Sequence, residues 1–175
     1  MSVTGNNAME MGRSGQRSAG IGTRAMQASI EHLGSDLFCR SPQTEPQELR
    51  LDAASARPAL EAWAERYDAA LRTGKGGASA GFGQPVEDSL RLIGRELFDW
   101  LDATGWASAW AARAGSRALT IRVDDPSSAI GRALLDAPWE LLAGPNGFLA
   151  DDAVQPFELV RRIGPPAATA APPSS

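Results

Sequence analysis

Cysteine and histidine are nearly absent, with one of each (Cys39 and His32) in 175 residues. A lone cysteine excludes an internal disulfide framework, and a lone histidine excludes ordinary His-based zinc sites. No apolar run reaches the length of about 18 residues that a membrane-spanning helix needs, so no membrane partner is expected. The opening MSVTGNNAMEMGRSG lacks the apolar stretch of a secretory signal, and the expected location is cytoplasmic. Lysine is scarce too. Lys75 is the only one among 17 basic residues, a bias that points to a GC-rich bacterial genome, since either cation would solubilise a surface. Basic excess is also lacking: 17 Lys and Arg against 21 Asp and Glu leave a formal charge of −4, which argues against nucleic acid as a partner.

What is present is unevenly spread. All five Trp and the single Tyr lie between residues 46 and 164, whereas 1–45 hold Phe38 as their only aromatic residue. Residues 1–45 are rich in Gly, Ser, Asn and Gln and sustain no hydrophobic period, so they read as a disordered leader, with at most a helical turn or two over 25–33. Residues 165–175 are rich in Pro and Ala and read as a linker-like tail. The folded domain is expected over 46–164.

Within it, Glu48–Ala53 alternates as a half-buried strand does. Leu60, Trp63, Tyr67, Ala70 and Leu71 recur at helical spacing over Ala56–Arg72. Gly74–Gln84 reads as a loop, and Pro85 with Glu87 and Asp88 opens a second helix that carries Leu90, Ile93, Leu97, Phe98 and Leu101 inward. A short helix follows at Trp106–Ala112, and four tryptophans (Trp63, Trp100, Trp106, Trp110) are assigned to the core. Ala118–Val123 is a strand with Leu119, Ile121 and Val123 on one face, and Ser127–Leu135 a short helix. Gly147–Ala150 and Pro156–Ile163 read as two strands joined by an acidic turn at Asp151 and Asp152. The sum is an α/β fold, locally α+β, of a few short strands with packed helices.

Few residues suggest chemistry. Gly74 and Lys75 sit in a glycine-rich loop, but a phosphate-binding loop requires Gly where Ala69 stands and Ser or Thr where Gly76 stands. Gly20 and Gly22 follow no strand, which removes a dinucleotide fingerprint. His32 and Cys39 are the minimum for a cysteine nucleophile, yet they fall in the segment read as leader, where nothing would hold them in register. Asp124, Asp125, Asp151 and Asp152 lack the spacing of a calcium loop and suit turns and caps. Glu140, between Trp139 and Leu141, needs a cation, and one of Arg161 and Arg162 is expected to face inward and pair with it. No catalytic, cofactor-binding or metal-binding residue is assigned, and no cofactor is expected.

Three blocks resemble the N-terminal part of CHAT domains, the bacterial caspase-like cysteine peptidases. They are Gly94–Leu101 (GRELFDWL), Leu119–Asp124 followed by Leu134–Leu142 (LLDAPWELL), and Gly147–Leu149 with Phe157–Gly164 (FELVRRIG). The signature residues are Pro138, Trp139, Glu140, Leu141 and Leu142 with Gly147, Phe148 and Leu149. The resemblance implies a caspase-like sheet whose catalytic His and Cys follow later core strands; no position here matches either. It therefore implies a truncated or split, non-enzymatic form acting through a protein partner, either a caspase-like core or a repeat-containing protein. An open sheet edge and apolar face would invite such a partner or self-association. Two other readings stand beside it: a stand-alone adaptor that binds by strand addition, and a small hydrolase using Cys39 or paired carboxylates.

Overall fold

Leu119, Ile121 and Val123 alternate with Thr120 and Arg122, and this period-2 pattern builds a strand next to the sheet's centre. The computed structural model of the chain describes residues 26–40, 49–74, 84–112 and 115–164. In chain order the strands and helices are β1 (Met26–Leu33), β2 (Asp36–Arg40), β3 (Leu49–Asp52), α1 (Ala53–Gly74), α2 (Gln84–Leu101), α3 (Trp106–Ala111), β4 (Arg117–Val123), α4 (Ala129–Asp136), β5 (Ala143–Gly144), β6 (Gly147–Phe148) and β7 (Phe157–Ile163). Five strands form one mixed sheet in the order β3-β2-β1-β4-β7, and β5 and β6 pair as a separate small hairpin. The β1–β2 and β2–β3 pairs are antiparallel, whereas β1–β4 and β4–β7 are parallel.

Register decides which side chains share a face. Ile30 lies opposite Cys39 and beside Ile121, Leu37 opposite Leu51, and Leu119 between Ala28 and Leu159. Ile30, Leu37, Cys39, Leu119, Ile121 and Val123 on this face are fully buried. They share one apolar core with Leu60 and Trp63 of α1, Ile93 and Leu97 of α2, Trp106 and Trp110 of α3, and Leu134 of α4. The helices form one layer, because α1 packs on both α4 and α2, and α2 on α3. The α1–α2 seam is pinned at Glu96, which accepts hydrogen bonds from Trp63 Nε1 (3.0 Å) and from Arg66, while Trp63 meets Trp100 edge to face at 5.6 Å.

Four expectations need correction. Residues 26–40 are not part of a disordered leader: they supply β1 and β2, and β1 is the middle strand of the sheet. The turn of helix expected over 25–33 is a strand, since β1 gains a ladder on both sides, which outweighs a marginal local preference. Gly147–Ala150 does not form a strand beside 156–163; Gly147 and Phe148 pair back onto Gly144 and Ala143. The sheet face opposite the helices is mixed, not apolar, with Phe38 and Val160 standing among polar side chains. Ser29, Glu31, Arg40, Thr120 and Arg122 lie there, half-buried, with Arg40 3.3 Å from Glu31 and Arg122 4.0 Å from the same carboxylate. The expectations for residues 1–25 and 41–48, for the loop at 75–83 and for the tail at 165–175 lie outside the described residues.

Candidate interaction surface

The signature segment is a packing device. Trp139 is fully buried in a 3-10 turn (Trp139–Leu141), and its Nε1 donates to the Leu134 carbonyl at 2.7 Å, tying the turn to the end of α4. Leu142 and Leu149 are buried together, and the Leu149 amide donates to the Leu142 carbonyl at 2.8 Å, which closes the β5–β6 hairpin. Gly94 lets α2 lie directly against this turn, because a Cβ there would stand 1.8 Å from the Leu141 carbonyl oxygen. Pro138 is buried, and Glu140, Leu141, Gly147 and Phe148 are half-buried.

Arg161 of β7 reaches this turn. Its guanidinium donates to the carbonyls of Leu135 (3.1 Å) and Ala137 (3.2 Å) and to Glu140 (2.9 Å). The alternation of β7 therefore sends Arg161 toward the helices and Arg162 to the opposite face. Arg117, buried at the start of β4, pairs with Asp152 and donates to the Gln155 carbonyl at 3.0 Å. Asp152 also accepts from the amides of Gln155 and Val154, and those bonds, then Arg117, hold its carboxyl below the usual range. Asp125 serves a turn in the same way, accepting from the Ser127 hydroxyl and amide, while Ser128 caps α4 through the Gly131 amide at 3.0 Å. One member of each acidic pair, Asp125 and Asp152, thus closes a turn through its own carboxylate.

His32 and Cys39 are on facing strands but two residues out of register, since Cys39 lies opposite Ile30 and His32 opposite Leu37. Cys39 is fully buried, and desolvation pushes its thiol up to about 12, so the nucleophilic thiolate is scarcely populated near neutral pH. A cleft of about 410 Å³ between α1 and α4 is lined by Glu61, Glu65, Asp68, Asp136 and Arg132 among others. No group of three or more His, Cys, Asp or Glu side chains converges for a metal among the described residues. No helix among them is long and apolar enough to cross a membrane.

What stands open is the edge of the sheet at β7. The Arg117 amide donates to the Pro156 carbonyl (2.7 Å) and the Gly164 amide to the Val123 carbonyl (2.9 Å). In a parallel ladder these two bonds fix the phase. Glu158, Val160 and Arg162 turn their amide groups toward β4; Phe157, Leu159, Arg161 and Ile163 turn theirs outward. No described strand pairs with that outer edge. Ile163 exposes 65% of its surface, and no proline interrupts the strand. The opposite edge, β3, has only four residues. Sequence reading anticipates an open sheet edge but neither its place at β7 nor which amides face outward, because both depend on long-range pairing with β4. Comparison with protein-family models, with curated proteins and with solved structures gives no match.

Proposed function

We propose that this chain is the non-catalytic N-terminal segment of a CHAT-type, caspase-like assembly and acts by protein–protein interaction. The observation that carries the reading is the outer edge of β7, a seven-residue strand whose outward-facing backbone donors and acceptors have no partner among the described strands. A strand from a caspase-like core would continue the sheet from β7, as strand addition does. The resemblance of Pro138–Leu142, Gly147–Leu149 and Phe157–Gly164 to the family supports this kind of partner. The absence of residues resembling the family's catalytic His and Cys, together with the protonated, buried Cys39, supports a non-enzymatic role for the chain. A stand-alone adaptor that adds a strand from an unrelated protein is the second reading, and the same free edge favours it.

The test is affinity capture from the source cells with the wild-type chain and with Ile163→Pro. That substitution removes an outward amide donor at an exposed position and leaves the ladder to β4 in place. Stoichiometric recovery of a polypeptide bearing a caspase-like His and Cys, lost with Ile163→Pro, is expected. A partner without such a core selects the adaptor reading. Recovery that ignores Ile163→Pro overturns both.

A further inference from the structure

Charge along β7 is arranged in a way that a partner strand of one particular sequence would complement. On the face away from the helices the strand presents Glu158, Val160 and Arg162 in succession, and both charged side chains are exposed. Neither has an ion-pair partner among the described residues. Arg162 lies directly beside Arg122 of β4, whose guanidinium is engaged by Glu31, so this face of β7 carries an exposed cation at one end and an exposed carboxylate at the other. A second copy of β7, laid antiparallel with its Val160 opposite Val160, places Glu158 against Arg162 at both ends of the seam. In that register Phe157 meets Ile163 and Leu159 meets Arg161, and these are the residues whose amides face outward. Hydrogen-bonded positions of an antiparallel ladder require outward groups to face one another in this way. The same register covers Ile163, one of the exposed large apolar side chains of the fold.

We propose that β7 pairs with β7 of a second copy of this chain, antiparallel about a two-fold axis at Val160, joining the two five-stranded sheets into one. A two-fold contact of this kind closes on itself and stops at a dimer. The chain's own tail is a poor rival for the edge: it starts at Pro165 and Pro166 and carries Pro172 and Pro173, and each proline lacks the N–H that a ladder needs. The inference goes beyond the proposed function and does not rest on it. The edge holds one occupant at a time, so the dimer is the form of the chain without its partner.

The complementarity gives a stringent test on the purified full chain, read as mass by sedimentation equilibrium. Wild type is expected at twice 18.4 kDa. Glu158→Arg alone sets Arg against Arg at both ends of the seam, and Arg162→Glu alone sets Glu against Glu. Each is expected to weaken the dimer roughly tenfold or more. An equimolar mixture of the two variants restores both opposite-charge pairs and is expected to recover the double mass, as is the charge-swapped double variant. Recovery on mixing also shows that each single variant is folded. A wild-type chain that stays at 18.4 kDa at every concentration overturns the proposal. Single variants that dimerise like wild type, or a mixture that stays monomeric, do so as well.

Discussion

Cys39 shows how register governs the chemistry of one side chain. It sits on the helix-covered face of β2, opposite Ile30, and no surface is left through which solvent could stabilise a thiolate. Burial raises its ionisation from 9.0 to about 12. In the unfolded chain the thiol loses its proton near 9.0, so rising pH draws the equilibrium toward the unfolded state over the interval up to about 12. The contribution is fully present below 9.0 and falls by about 1.4 kcal/mol per pH unit above it. Urea unfolding across that alkaline range is expected to show a steeper loss of stability in wild type than in Cys39→Ala. Equal slopes would show that the thiol is solvated in the folded chain. The outward amides of Phe157, Leu159, Arg161 and Ile163 present the opposite case, polar groups at a sheet edge with no pairing strand among the described residues.

Elements are held together here by close approach as much as by apolar contact. Gly94 brings α2 onto the turn at Trp139–Leu141, and the turn is held from the other side by Arg161 of β7 and by Leu134 at the end of α4. Gly94→Ala gains helix propensity of up to about 1 kcal/mol, but its Cβ must displace a backbone carbonyl held in place by both neighbours. The net loss is expected at about 2 kcal/mol or more, seen as a lower urea midpoint with an unchanged slope. A variant as stable as wild type would show that α2 can move off the turn at no cost. Most of the helix layer is legible in the sequence, and so is β4. Leu60, Trp63 and Tyr67 mark α1, Leu90, Ile93, Leu97 and Leu101 mark α2, and Leu119, Ile121 and Val123 mark β4, because each set repeats at the period of its own structure. A pair between Glu140 and one of Arg161 and Arg162 is legible as well, from the need of a half-buried carboxylate for a partner; the register of β7 on β4 selects Arg161. The strands β1 and β2 are not legible. Ala28, Ile30, Leu37 and Cys39 alternate correctly, but Gln27, Ser29, Glu31, Asp36 and Arg40 between them leave the stretch as polar as a solvated tail. Their burial depends on the pairing of β1 with β4, more than eighty positions along the chain, and no local window contains that information.

At the scale of the whole molecule, the fold is a single helix layer on one face of a mixed five-stranded sheet. Parallel strands are ordinarily covered on both faces; here no described helix lies on the second face, which carries Glu31 between Arg40 and Arg122 and Arg50 paired to Asp36. The antiparallel end of the sheet tapers to the four-residue β3, whereas the parallel end finishes on the full-length β7. That asymmetry leaves one long edge, which both the partner reading and the self-pairing reading require. Residue-resolved amide exchange along β7, in dilute and in concentrated solutions of the intact chain, reads this edge most directly. Dilute chain is expected to alternate, with Glu158, Val160, Arg162 and Gly164 protected and Phe157, Leu159, Arg161 and Ile163 exchanging freely; concentrated chain is expected to protect both sets. Protection of both sets in chain that sediments at 18.4 kDa would mean that the edge is already covered within one chain, and alternation that persists at high concentration would mean that β7 does not pair with itself.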